Sequence, residues 1–114
     1  MTDCTFTEDD ARWMRQALDL AHHSALLNEV PVGAVIVRDQ QLLGQGWNAP
    51  ISTCDSTYHA EIAAIRSAGE SAQNYRLPGS TLYVTLEPCT MCFGAMIHAR
   101  IGRVVYATRE PRAG

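Results

Sequence analysis

Apolar residues along the chain follow two periods. Trp13, Ala17, Leu18, Ala21 and Ala25 recur at helical spacing. Thr7 with Asp10 three positions later makes a capping-box pattern just ahead of them, so a first helix is predicted from about Glu8 to Leu27. His22 and His23 fall within it without a partner in sequence and read as surface residues. The run over residues 30–37 is rich in valine and gives a strand signal; Asp39 and Gln40 turn it into a second strand over residues 41–47, giving a hairpin. Gly33, Gly44 and Gly46 inside the hairpin mark either bulges or the close approach of another element, a substrate being one candidate.

Helical spacing returns near Tyr58, preceded by the capping types Asp55, Ser56 and Thr57. Ile62 and Ile65 supply the buried side of this helix and Gly69 predicts its stop. A third strand is predicted over residues 81–86. Pro88 suits the first position of a further helix, with Phe93, Met96 and Ile97 as its core residues and Gly94 and Ala95 allowing close packing. Gly102 ends that helix, and residues 103–107 predict a fourth strand. A hairpin followed by alternating helices and strands describes an α/β fold, specifically a three-layer α/β/α sandwich on a mixed sheet.

Composition narrows the setting more than the fold. With 114 residues, 46% hydrophobic and 18% charged, the chain is one ordinary globular domain. No apolar run is long enough to span a bilayer, and Asp3, Glu8, Asp9 and Asp10 are the opposite of a signal peptide's basic start, so the expectation is cytoplasmic with no membrane partner. Four cysteines, two of them in a C-x-x-C, do not resemble the framework of a disulfide-stapled protein. A net charge of −3 argues against indiscriminate nucleic-acid binding. The C-terminal end is locally basic, Arg100, Arg103, Arg109 and Arg112 facing the single acid Glu110; such a cluster is either a solvated surface or a phosphate contact.

The candidate chemistry lies in two short stretches. His59-Ala60-Glu61 is H-x-E, and Pro88-Cys89-Thr90-Met91-Cys92 is P-C-x-x-C, together the signature of zinc-dependent nucleobase deaminases. One imidazole and two thiolates are ligands that zinc prefers, and three protein ligands leave a position for water. Water held there ionises near neutral pH, and Glu61, two residues from a ligand, is placed to carry its proton. His59 and Glu61 can converge only if their helix points its N-terminus at the metal. The cysteine helix is read the same way, and two positive helix ends are expected to favour thiolate over thiol. The rival reading adds Cys54 as a fourth ligand, which would make a closed, structural zinc site and a zinc-stabilised RNA-binding module.

The residues resemble one family closely, the bacterial tRNA-specific adenosine deaminases of the cytidine-deaminase-like fold. The resemblance runs through Asn28-Glu29-Val30-Pro31-Val32-Gly33-Ala34-Val35, Gly46-Trp47-Asn48, His59-Ala60-Glu61, Gln73-Asn74-Tyr75-Arg76-Leu77 and residues 81–105. It implies one Zn2+ per chain on His59, Cys89 and Cys92, with Glu61 as the catalytic proton carrier. It also implies attack of an activated water on C6 of adenine to give inosine and ammonia, as in the wobble adenosine of a tRNA anticodon loop. Asn48 would hydrogen-bond the base, Val32, Ala60 and Leu86 would shape the pocket, and Arg109 and Glu110 would lie near flanking nucleotides. The family acts as a homodimer. Tyr58 stands where the family usually has a smaller residue, and Thr108-Arg109-Glu110 replaces Ala-Arg-Asp. The expectation is also of a single domain lacking the family's last strand and C-terminal helix, which leaves the strand over residues 103–107 an open edge. Free guanine or cytosine, their nucleosides, and single-stranded DNA are the alternative substrates, since the metal chemistry is shared.

Overall fold

The structure is a computed structural model and describes residues 6–108. Helix α1 (Glu8–Leu26) leads into a hairpin of β1 (Gly33–Arg38) and β2 (Gln41–Trp47). A one-turn helix α2 (Pro50–Thr53) follows, then α3 (Ala60–Ala72), β3 (Thr81–Leu86), α4 (Thr90–Ala99) and β4 (Arg103–Thr108). The strands lie in the order β2-β1-β3-β4; β1 is antiparallel to both neighbours and β3 is parallel to β4. On one face of the sheet, Trp13, Met14 and Ala17 of α1 pack on Val35, Val37 and Tyr83. On the other, Ala60, Ala64, Ala68, Cys92 and Met96 of α3 and α4 pack on Ala34, Ile36, Leu82 and Val84. Successive residues of β1 therefore serve opposite cores, which is why its sequence is apolar throughout rather than alternating. The three-layer sandwich on a mixed sheet is as expected, and among the described residues no helix is long and apolar enough to cross a membrane.

Helix α1 starts where its capping box predicts. The Asp10 amide donates to Thr7 Oγ1 at 3.1 Å and the Thr7 amide to Asp10 Oδ2 at 3.0 Å. Asp10 does more than cap. Its buried carboxylate takes both arms of the Arg103 guanidinium, at 2.8 and 2.9 Å, and the Tyr83 hydroxyl at 2.6 Å. One side chain thus ties the start of α1 to β3 and β4. The Arg103 hydrogen bonds hold the Asp10 carboxyl well below the usual carboxylate range despite its burial, with Tyr83 and Thr7 adding to the effect. Burial and the Asp10 carboxylate push the Tyr83 hydroxyl up to about 12.

The hairpin turns through Asp39 and Gln40, both left-handed at φ 54° and 62°, as the primed two-residue turns require. Ile36 pairs with Gly44 and Val37 with Leu42, leaving Leu43 as the extra residue of a bulge. The other hairpin glycines admit helices, not a substrate. A Cβ on Gly33 would lie 2.0 Å from the Ala17 carbonyl oxygen of α1, one on Gly44 2.3 Å from the Ala68 amide of α3, and one on Gly46 2.7 Å from the Ala60 carbonyl oxygen.

Several boundaries and facings differ from expectation. Helix α3 passes through Gly69 and stops at Gln73, which is left-handed at φ 53° and whose amide caps the Glu70 and Gly69 carbonyls. Its N-cap is His59; Asp55 instead closes a local turn on Thr57. Pro88 precedes helix α4 rather than opening it, because Cys89 is the N-cap. Along α4 only Met96 of the three expected core residues is buried. Phe93 is 39% and Ile97 68% exposed, and a Cβ on Gly94 would meet nothing within 4 Å. An apolar residue at nearly every position of this helix gives no facing signal. Left-handed Arg100, not Gly102, caps the helix.

Two outcomes follow. Asp10→Asn is expected to lower stability at pH 7 by about 2–4 kcal/mol, since it replaces the charged, two-oxygen acceptor of the partly buried Arg103 guanidinium with a neutral amide. Because the folded state depresses the Asp10 pKa, this contribution is present above the unfolded carboxyl pKa of about 4 and is lost as pH falls through the folded value. Urea denaturation at pH 7, 4 and 2.5 should show the gap between the native protein and the variant closing toward acid. Gly44→Ala should destabilise by about 1–3 kcal/mol or more through overpacking against α3, read as a shift in the urea midpoint.

Candidate active site

Two helix N-termini meet at the edge of the sheet where β3 ends and β1 begins. His59 is the N-cap of α3 and Cys89 the N-cap of α4, with Cys92 one turn further along. Both caps have extended backbone and neither makes a side-chain capping bond, so their ligand atoms are free of that task. Cys89 Sγ and Cys92 Sγ are 3.7 Å apart, and His59 Nδ1 lies 3.6 Å from the first and 3.5 Å from the second. A disulfide needs about 2.05 Å, and all three described cysteines are free. A tetrahedral zinc with bonds of about 2.3 Å to sulfur and about 2.05 Å to nitrogen would set these edges at about 3.8 and about 3.6 Å. The triangle fits zinc. Among the described residues it is the group of metal-ligating types that closes to this spacing, and it does not include Cys54, which is exposed at the end of α2. The four-ligand arrangement with Cys54 therefore does not form, because the left-handed turn at Cys54 leaves it on the surface.

Burial above all, with the Glu61 carboxylate and Cys89 adding to it, pushes the Cys92 thiol up. Burial likewise raises the Glu61 carboxyl, against the opposing pull of its own backbone amide, His59 and Cys92. A buried carboxylate beside one buried and one half-buried thiol is a donor set short of positive charge, and a divalent cation supplies it.

Beside the triangle lies a cavity of about 310 Å³, at the small end for ligand pockets and suited to a single base. Part of its wall is His59, Glu61, Cys89, Leu86 and Glu87, from the helix starts and the end of β3; the rest is Val30, Val32, Asn48 and Pro50, from the segments flanking the hairpin. The sequence-predicted Val32, Asn48 and Leu86 thus line it. Ala60 does not: it is fully buried in the core beneath β2. Arg109 and Glu110 lie outside the described residues. Asn48 is held from three sides. Its Nδ2 donates to the Val30 carbonyl at 3.2 Å, its amide to the Val32 carbonyl at 3.0 Å, and its own carbonyl accepts from the buried Ser24 hydroxyl. With Nδ2 committed to Val30, the amide has its Oδ1 as acceptor for a ligand.

Sequence reading missed Val30, Pro50 and Glu87 as lining residues, and it missed Glu29. The Glu29 carboxylate accepts from the amides of Ile51 and Ser52 and from the Ser52 hydroxyl, at 3.2, 2.6 and 2.7 Å. Nothing in the local pattern distinguishes this acid from a surface one, since its partners lie 22 and 23 residues away.

The model of the cytidine and deoxycytidylate deaminase zinc-binding region matches residues 7–108. The chain is 51% identical over 109 residues to a tRNA-specific adenosine deaminase of Haemophilus influenzae, covering 95% of this chain and 63% of that protein. It therefore spans somewhat less than two thirds of that relative's length. A solved structure from studies of A-to-I editing by tRNA:A34 deaminases at the wobble position of transfer RNA matches with a TM-score of 0.88 at 45% identity, over 91% of this chain and 75% of that one. The guanine deaminase of Bacillus subtilis matches with a TM-score of 0.83 at 37% identity, over 87% of this chain and 64% of that one. With a three-ligand triangle of zinc dimensions at the meeting of two helix starts, and a family model spanning all but the first of the described residues, the chain belongs to the zinc-binding cytidine and deoxycytidylate deaminase family.

Proposed function

We propose that the chain forms one deaminase domain that converts adenosine to inosine in single-stranded nucleic acid, its substrate being the wobble adenosine of a tRNA anticodon loop. One observation carries this reading: two members of the three-ligand zinc triangle, His59 and Cys89, line a base-sized cavity together with the buried carboxylate of Glu61. Support for the substrate comes from the tRNA-specific adenosine deaminase at 51% identity and from the A34 deaminase fold. A tRNA substrate implies a cytoplasmic setting. The homodimer that the resemblance implies is supported by the apolar surface left on α4, where Phe93 and Ile97 are exposed.

In this reading His59, Cys89 and Cys92 hold the zinc, which when bound makes water acidic enough to be a nucleophile near neutral pH. The protein's own groups do the rest. Glu61 accepts the proton that water loses and delivers it to N1 of the purine, which makes C6 electrophilic. Once the water oxygen has bonded to C6, Glu61 takes the remaining proton from that oxygen and passes it to the amino group, so that the C6–N bond breaks and ammonia leaves as C6 becomes a carbonyl; water enters, ammonia departs, and Glu61 ends as it began. Burial that raises the Glu61 carboxyl suits a group that must both take and return a proton. Asn48 presents an acceptor to the base edge, while Val32 and Leu86 flank the ring.

The guanine deaminase likeness at 37% identity favours a second reading, hydrolysis of free guanine on the same wall. Zinc-loaded protein should be incubated with an anticodon stem-loop bearing a wobble adenosine, with its DNA counterpart, and with free guanine and cytosine, following inosine and ammonia. Inosine in the RNA loop is expected; turnover of guanine alone would overturn the tRNA reading. Glu61→Gln should lower turnover by about a hundred- to ten-thousand-fold while metal content stays at one zinc per chain. Cys89→Ser or Cys92→Ser should lose zinc, whereas Cys54→Ser should retain it, as measured by elemental analysis. Stripping the metal with a chelator should lower the melting temperature, because a ligand bound to the folded state alone stabilises it.

A further inference from the structure

Helix α2 has little to hold it. It is one turn long, none of its four residues is buried, its N-cap Ala49 has no side-chain acceptor and Pro50 has no N–H. A single turn does not persist on its own propensity, and its first amides need acceptors from elsewhere. Thr53 closes the turn onto the Ala49 carbonyl at 2.6 Å, and the Tyr58 carbonyl takes the Ala49 amide at 3.0 Å. Beyond Ala49 the acceptor from outside is Glu29, whose two carboxylate oxygens take the Ile51 amide, the Ser52 amide and the Ser52 hydroxyl. Glu29 is itself only 5% exposed, and its own amide is fixed to the Ser24 carbonyl at 3.1 Å.

What this joint connects is the part of the cavity wall that comes from the segments flanking the hairpin. Val30 follows Glu29 directly and Pro50 opens the turn that Glu29 grips; both line the cavity. Asn48 is bonded to Val30 through Nδ2. Ser24 bridges the Val30 and Asn48 carbonyls from below. The wall is thus two irregular segments, residues 28–32 and 48–53, clamped together by polar groups rather than by sheet or helix packing. The zinc ligands and Glu61 stand on α3 and α4 and share none of these bonds.

We propose that Glu29 is a positioning residue: by clamping α2 it sets the width of the pocket between the Val30–Pro50 wall and the metal wall, and so the grip on the substrate base. The proposal rests on the deaminase reading of the same cavity. Glu29 acts through Ser52 and Ile51 and touches neither metal nor reacting atoms. Burial alone would raise its carboxyl, but the Ser52 hydroxyl and the Ser52 and Ile51 amides together lower it, so it serves as a charged acceptor at neutral pH.

The test compares zinc-loaded wild type with Glu29→Gln, which keeps the shape but turns an amide donor against an amide donor, and with Ser52→Ala on the surface, which removes one of the three bonds. For the anticodon stem-loop, Glu29→Gln is expected to raise KM by about tenfold or more with kcat within about threefold, and Ser52→Ala to raise KM by a smaller factor. The double variant should be no worse than Glu29→Gln alone, because both changes open the same joint. Zinc should stay at one per chain throughout. Direct binding of a stem-loop carrying fluorescent 2-aminopurine at the target position should weaken in parallel. A lowered melting temperature with unchanged KM and unchanged probe binding would make Glu29 merely structural and overturn the proposal. A fall in kcat at constant KM would also overturn it. Wild type that binds the probe without turning over any substrate sinks the deaminase reading alone, and the Glu29 effect is then read from binding; wild type that does not bind the probe overturns both.

Discussion

Helix α3 rests directly on the bare backbone of β2 at Gly44 and Gly46, and the position of the site depends on that contact. Gly44 and Gly46 expose bare backbone on the face where Ala60, Ala64 and Ala68 descend at four-residue intervals, so helix and strand approach to a distance that any Cβ would prevent. The helix is fixed along its length as well as in height, because each alanine meets a glycine or a small neighbour at a set register. Its first residue is Ala60, and the residue before that is His59. A stripe of the smallest side chains in the chain therefore places a metal ligand.

The same economy appears in the polar interior. Among the described residues no buried side-chain nitrogen or oxygen lacks a hydrogen-bond partner. Asp10 joins α1 to β3 and β4, Ser24 joins the end of α1 to the Val30 and Asn48 carbonyls, and Thr85 reaches from β3 to the Gly33 amide at 3.2 Å. Each sits at a seam between layers or segments, where apolar packing alone would leave direction undetermined. Buried polar groups with satisfied partners specify geometry in a way that greasy contacts do not.

How much of this is legible in the sequence depends on the range of the interaction. The capping box at Thr7 and Asp10, the turn at Asp39 and Gln40, and the strands are local, and the sequence predicts them within a residue, except that β1 begins at Gly33, three residues after its predicted start at Val30. The zinc triangle is non-local yet legible, because chemistry restricts the ligand types so strongly that His59, Cys89 and Cys92 identify one another across thirty residues. What escapes is non-local and chemically ordinary. Glu29 resembles any surface acid until Ser52 is beside it. Phe93 and Ile97 look like core residues because α4 is apolar nearly all round, and only packing decides that Met96 and Cys92 face inward. The end of α3 is misjudged for a related reason. Gly69 is a fair stop signal, but Gln73 adopts the left-handed cap and the chain gains a further turn.

The two walls of the cavity then divide the work. The metal wall is built from helix starts whose positions follow from the sheet, and the family model that spans residues 7–108 is that of a zinc-binding region. Yet solved structures that share the fold with this chain include both a tRNA:A34 deaminase and a guanine deaminase. A common fold with a common metal chemistry cannot by itself choose between a purine in an RNA loop and a free one, since both present an exocyclic amine to the same nucleophile. Selection has to come from surfaces that touch the rest of the substrate. In this chain the lining outside the metal-bearing helix starts includes Val30, Val32, Asn48 and Pro50, carried on the segments that flank the hairpin. Segments outside the sheet can specify one base only if something holds them still.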